Sequence, residues 1–284
     1  MRYWILLTLL FLALLFWADR RDAAGGDTPV KAINLEKLNT ADDEEDPCPT
    51  PDGFGLLYAA KKKKYYDIYL SGRTNAKAAF GAGKPFVFDR DADARCPFVH
   101  QGKLYFVTNE IVDDKLAKLK NFDIRLQIGT QAPLYITTND INTKADEIYP
   151  WITPGEKEFY FSRKTDDGWK LFVVNGAVPG PTKAKEVGFP AHFQRATVAG
   201  KGLTMYLQGP LGVGKLGIFR STRDKVGDPW SKPKPVAALN HPDSKKGDMQ
   251  PALSADGLRL YFVSDRPGGK GGLDIWTVTT AQLK

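Results

Sequence analysis

Five times along the chain, an apolar strand follows a turn that contains glycine. The strands read LLYAA, KLYFVT, EFYFS, LTMYL and RLYFVS, and they centre on Tyr58, Tyr105, Tyr160, Tyr206 and Tyr261. Those tyrosines are 47, 55, 46 and 55 residues apart. The preceding turns hold Gly53, Gly102, Gly155, Gly202 and Gly257, and glycine accepts the positive φ of a tight hairpin at little cost. A third strand follows in each unit (DIYL, DIRLQI, KLFVV, LGIFRS, DIWTVT), and a more polar fourth segment leads to the next, as in KPKPVAALN at 232–240. Four short antiparallel strands per repeat of roughly 50 residues describe a propeller blade. The pattern therefore predicts an all-β chain, a five-bladed β-propeller. One blade cannot bury both its faces, so the repeated aromatic side chains are expected to pack between blades. The segment 111–122 has helix-like spacing but falls between two strands of the second unit, and is expected to be a long loop with one helical turn.

The fifth unit ends without a fourth strand. Val30–Pro47 resembles Lys234–Pro251: each has an extended segment, then Leu-Asn (Leu38-Asn39 and Leu239-Asn240), then a polar acidic turn. Val30–Leu38 is thus expected to be the outer strand of the last blade, pairing with Asp274–Thr279. That closure removes two unpaired strand edges, which would otherwise invite aggregation.

The first residues follow a different pattern. After Arg2 an uncharged apolar run extends from Tyr3 to Ala18, 16 residues, short of the roughly 20 that span a bilayer comfortably. This is the pattern of an export signal, with processing expected near 21–26 and Ala24 as the last residue removed; an uncleaved anchor, holding the protein to the membrane through residues 3–18, is the alternative. The expected organisation is a signal peptide or anchor over 1–24, a short linker over 25–28 and a propeller over 29–284. The expected location is outside the cytoplasm, in the periplasm or on the cell envelope. An oxidising location lets Cys48 and Cys96 form a disulfide. They sit at equivalent places in units one and two, so a bridge would pin adjacent blades; two small buried hydrophobes are the other reading. The net charge is +7, with one run of lysines at Lys61–Lys64. No zinc-finger spacing or helical basic stripe accompanies it, so no nucleic-acid partner is expected and the run reads as a solvated loop or strand edge.

The units resemble the WD40-like repeats of the TolB type found in exported bacterial proteins. That pattern is an acid, a proline, a Ser/Thr-Pro/Ala-Asp-Gly turn, an apolar strand with an aromatic residue, a serine and then Asp-Ile-Trp/Tyr. The fifth unit carries it at Asp248, Pro251, Ser254, Asp256, Gly257, Tyr261, Ser264, Asp274, Ile275 and Trp276. The first keeps Asp52, Gly53, Tyr58, Asp67 and Ile68, and the third Asp146, Pro150, Gly155, Tyr160 and Ser162; the second and fourth are degenerate. The resemblance covers about residues 29–284. It implies a propeller fold, and five units are fewer than the six blades usual in TolB. A fold of this kind hosts many activities.

Candidate chemistry lies at the entrances of the inner strands. Asp46, Asp93, Asp146 and Asp248 are expected at equivalent positions near the central channel, joined by Arg95, His192 and Arg195. Such a set could bind an anionic or sugar ligand; carboxylates there could act as acid and base on a glycosidic bond. The alternative is structural: acids that cap turns or bind backbone N–H groups of a neighbouring blade, and arginines that neutralise them. No metal site is expected, since His100, His192 and His241 lack ligand spacing. No cofactor is expected either; calcium on the acids is conceivable but has no specific support. Two functions follow. The first is a non-enzymatic module or scaffold binding a protein or glycan. The second is a carbohydrate-active, glycosidase-like or lactonase-like enzyme working in the channel. A plugged channel favours the first, and a deep funnel with convergent carboxylates the second.

Overall fold

Alternating apolar side chains on short strands give five four-stranded antiparallel sheets, seen in a computed structural model that describes residues 30–61, 64–86, 91–110, 121–136, 138, 140–176, 178–199 and 201–283. The expected export segment and most of the expected 111–122 loop lie outside the described residues. A short strand β1 (Ile33–Asn34) comes first. Blade 1 holds β2 (Glu44–Pro49), β3 (Gly55–Ala60), β4 (Asp67–Gly72) and β5 (Lys84–Pro85). Blade 2 holds β6 (Ala94–His100), β7 (Lys103–Thr108), β8 (Asp123–Ile128) and β9 (Leu134–Tyr135). Blade 3 holds β10 (Glu147–Ile152), β11 (Glu158–Thr165), β12 (Gly168–Asn175) and β13 (Lys185–Glu186). Blade 4 holds β14 (Gln194–Val198), β15 (Thr204–Gly212), β16 (Lys215–Thr222) and β17 (Lys234–Pro235). Blade 5 holds β18 (Asp248–Leu253), β19 (Arg259–Ser264) and β20 (Asp274–Thr279).

The inner strands pack in a ring, β2 on β6, β6 on β10, β10 on β14, β14 on β18 and β18 on β2. β1 joins blade 5 as its fourth strand, antiparallel to β20, with Ile33 opposite Thr277 and Asn34 opposite Trp276. The expected strand over Val30–Leu38 is thus only two residues long. The chain turns after it, with the Leu38 and Asn39 amides both donating to the Leu35 carbonyl. The five anchor tyrosines are all buried. They pack between blades: Tyr105 meets Phe159 of blade 3 and Tyr261 meets Phe80 of blade 1, both edge to face. Among the described residues, no helix is long and apolar enough to cross a membrane.

In three blades an asparagine side chain continues the ladder beyond the two-residue outer strand. Asn240 accepts from the Ile218 amide at 2.8 Å and donates to the Ile218 carbonyl at 3.0 Å. Asn39 does the same to Ile275, at 3.0 and 2.9 Å, and Asn142 to Ile124, at 2.8 Å in both directions. The residue before each, Leu38, Ile141 or Leu239, is buried. The Leu-Asn correspondence between the two chain regions is therefore a structural one.

Candidate functional site

Every inner strand carries a bulge at the same place. Pairing with the second strand shifts register after Glu45, Arg95, Ile148, Gln194 and Met249. The next residue in each case, Asp46, Cys96, Tyr149, Arg195 or Gln250, has positive φ, between 51° and 59°. A bulge of this kind re-aims one side chain. Proline follows in four of the five, at 47, 97, 150 and 251. It offers no N–H to the open edge of an inner strand, which discourages further pairing there.

The ring so formed is tied together across blades. Arg195 Nη1 donates to Asp46 Oδ1 at 2.7 Å, and Arg95 Nε donates to Asp46 Oδ2 at 3.2 Å. The Cys96 amide also reaches Asp46 Oδ2 at 3.2 Å. The Asp46 amide donates to Gln250 Oε1 at 2.6 Å, and Gln250 Nε2 donates to Glu45 Oε2 at 3.0 Å. Glu45 further accepts from Arg95 Nη2 at 2.6 Å and from the Tyr66 hydroxyl at 2.9 Å. The Arg195 guanidinium lies over the Tyr149 ring, 4.5 Å from its centre, and that of Arg95 over Tyr66 at 4.1 Å. Asp46 is fully buried. Burial alone would push its carboxyl up, but the Arg95 and Arg195 charges and the Cys96 N–H outweigh it and hold the carboxyl below its ordinary value. Burial pushes the Tyr149 phenol well up, so it stays neutral.

The expected site residues separate into three positions. Asp46, Arg95 and Arg195 meet at the ring. Asp93 and Asp146 sit three residues before their blade's bulge residue, where they accept the Tyr66 and Phe122 amides of the preceding blade, at 2.8 and 3.0 Å. Asp43 holds the same place in blade 1, accepting the Leu273 amide at 2.7 Å. His192 has that place in blade 4 and is exposed, its amide donating to the Trp169 carbonyl at 2.6 Å. Asp248 stands two residues before Gln250. It accepts the His241 amide at 2.7 Å and Arg266 Nη2 at 2.6 Å. Glu44 and Glu147 match it, each accepting an amide and a hydroxyl from a threonine four residues back. The expected equivalence of Asp46, Asp93, Asp146 and Asp248 is thus corrected. Only Asp46 reaches the ring, because only it stands at the bulge that re-aims a side chain, whereas Asp93, Asp146 and Asp248 lie two or three residues before theirs.

The expected Cys48–Cys96 bridge is not formed. Both thiols are free and buried. Cys96 Sγ is directed at Asp46 Oδ2, 3.5 Å away, and Cys48 Sγ at the Pro49 carbonyl, 3.8 Å away. Burial pushes the Cys48 thiol up to about 11, and burial together with the Asp46 charge holds the Cys96 thiol well above its ordinary value. Tyr149, Gln250 and Glu45 were not singled out from sequence. The signal that finds the ring is the repeated residue before proline: Asp46-Pro47, Cys96-Pro97, Tyr149-Pro150 and Gln250-Pro251.

Beyond the ring, residues of all five inner strands, among them Cys48, Phe98, Trp151, Ala196 and Ala252, line a pocket of about 20 Å³. That is room for about one water molecule. Among the described residues, no three His, Cys, Asp or Glu side chains group to hold a metal ion.

No family model matches the sequence, and no curated protein matches it. Solved structures match in fold. TolB from Acinetobacter baumannii aligns at a TM-score of 0.52 and 14% identity, over 84% of this chain and 54% of that one, so this chain spans about half its length. The catalytic domain of a GH62 α-L-arabinofuranosidase from Coprinopsis cinerea aligns at 0.58 and 13% identity, over 88% of this chain and 97% of that one. An endo-arabinase from Bacteroides thetaiotaomicron aligns at 0.53 and 14%, over 87% and 96%. Identities this low speak to architecture alone. In architecture, the chain is a TolB-like β-propeller, here with five blades.

Proposed function

We propose that this chain is an exported, non-enzymatic propeller that binds a protein or glycan partner at the cell envelope. The observation that carries the reading is the ring. The position where a glycosidase funnel would open is filled by Asp46, Cys96, Tyr149, Arg195 and Gln250, bonded to one another and to Arg95 and Glu45. Both Asp46 oxygens are already taken by guanidinium or amide donors. A general base needs a water within hydrogen-bond reach, and a general acid needs a raised pKa; Asp46 is buried and its pKa is lowered. The likeness to the GH62 enzyme favours a second reading, a carbohydrate-active channel built around Asp46.

The exposed face supports the first reading. Phe54 and Leu258 occupy the same place in the equivalent turns of blades 1 and 5, each following an aspartate that accepts its amide at 2.9 Å, and both are exposed. One experiment separates the two readings. The full chain is screened on a glycan array and in envelope-extract pull-downs, and in parallel assayed on aryl arabinofuranosides and arabinan. The expected result is binding that falls in a Phe54→Ser, Leu258→Ser double variant and survives Asp46→Asn, with no hydrolysis. Turnover that Asp46→Asn removes would establish the enzyme instead.

A further inference from the structure

Two of the seams between blades are built from the same parts, and one of them lacks a charge that its counterpart has. Where blade 4 meets blade 3, Arg223 donates through Nε to the Gly202 carbonyl at 2.6 Å and lies over the Trp230 ring. Its two terminal nitrogens hold Glu158 bidentately, at 2.7 and 2.6 Å. Trp230 Nε1 donates to the Tyr160 hydroxyl at 3.1 Å. Where blade 1 meets blade 5, the same parts recur. Arg73 Nε donates to the Gly53 carbonyl at 2.8 Å, and its guanidinium lies over Phe80 at 4.7 Å. Phe80 stands where Trp230 stands, and Tyr261 where Tyr160 stands. The place of Glu158 is taken by Arg259: each is the first residue of its blade's second strand, and its carbonyl accepts the amide at the start of the preceding turn, from Thr153 or Ser254, at 2.9 Å.

Two arginines therefore meet where the other seam has an arginine and a glutamate. Among the described residues, the Arg259 guanidinium has no hydrogen bond or ion pair, and Phe80 has no N–H to give the Tyr261 hydroxyl. In place of the missing contacts there is a cavity of about 370 Å³, lined by Arg73, Arg259 and Tyr261, with Lys37, Lys77 and Glu36 around it. That volume falls within the range of small-ligand pockets. It is separate from the channel ring.

We infer that this seam is a binding site for a small sugar acid, one carboxylate on a hydroxylated body. The carboxylate takes the place that Glu158 fills in the other seam, meeting Nη2 of Arg73, whose Nη1 donates to the Ala76 carbonyl at 3.0 Å, and the charge of Arg259. Glu36 opposes a second anionic group and accepts from hydroxyls, and Lys37 and Lys77 donate to them. The lining also carries Ile33, Leu35, Phe80 and three alanines, so the body that fits is one with an apolar ring face as well as hydroxyls, as a pyranose has.

The test titrates the full chain by calorimetry with galacturonate and with galactose, which differ by the carboxylate. Galacturonate is expected to bind at least tenfold more tightly. The Arg259→Glu variant supplies the missing carboxylate from the protein itself. It is expected to melt at a higher temperature than the parent and to lose galacturonate binding, which separates loss of the site from loss of the fold. Equal binding of the two sugars, no binding of galacturonate, or undiminished binding by Arg259→Glu would each overturn the proposal.

Discussion

Asp46 is the residue on which the ring converges, and its surroundings set what a change there does. Its carboxylate is wholly buried and faces two guanidinium groups. Burying such a charge is tolerable only with partners of this quality, and removing one member of a buried pair strands the other, at about 3–5 kcal/mol. Asp46→Asn should therefore lower unfolding free energy by about that amount in urea melts, whereas Asp46→Leu combined with Arg195→Met should recover most of it. The pH dependence has a definite sign. The folded-state pKa of Asp46 lies below its ordinary value near 3.8, so the native state binds its proton less readily than the unfolded chain. The stabilisation is complete above pH 4 or so and is lost as pH falls through the folded value. Melts of parent and Asp46→Asn should thus converge as the solution is acidified. Parallel curves from pH 7 to pH 2 would show that Asp46 does not carry the charge assigned to it.

At the scale of strands, the two-residue outer strands of blades 2, 4 and 5 are extended by an asparagine amide, which presents both a donor and an acceptor, as a backbone residue does. Asn39 spans the N–H and C=O of Ile275 and is itself buried. Its replacement by alanine leaves two buried backbone groups without partners, each worth about 1–3 kcal/mol. Asn39→Ala should cost at least as much as Asn240→Ala, since Asn240 is only half-buried; the comparison is a pair of denaturant titrations. These asparagines were legible, because Leu38-Asn39 and Leu239-Asn240 repeat in sequence. The strands were legible too, since apolar alternation between glycine turns is a local signal. The ring was not. Its members are an acid, a thiol, a phenol, a guanidinium and an amide, so no residue type repeats. What all five share is a backbone φ above 50°, which none of these side chains advertises; in sequence only the proline after four of them marks the place. Acids two or three positions away repeat visibly but do not enter the ring. Asp93 and Asp146 tie blade to blade through backbone amides, a task any short acceptor performs.

For the whole molecule, the decisive joint is the seam where the first described strand meets the last blade. Asn34 pairs with Trp276, the Leu35 amide donates to the Ile275 carbonyl at 3.1 Å, and Leu38 is almost wholly buried beside Tyr261, Val263 and Ile275. The Glu44 amide then donates to the Leu273 carbonyl at 2.8 Å, so blade 1 is joined to blade 5 both at its inner edge and through β1. In a closed ring every blade is held on two sides. Opening one seam exposes the apolar flanks of two blades and leaves strand edges unpaired. Leu38→Ala should by itself cost about 2–5 kcal/mol, as for other buried leucines. Deleting residues 30–38 removes that side chain together with the β1 pairing. The expected result is a melting temperature lowered for the entire domain in a single transition, reported alike by near-ultraviolet dichroism and by tryptophan fluorescence. A transition that stays where it was would mean that contacts between β18 and β2 hold the ring alone. Two separated transitions would mean that the blades next to the seam unfold as a local unit, and that stability in this propeller is summed blade by blade rather than shared around the ring.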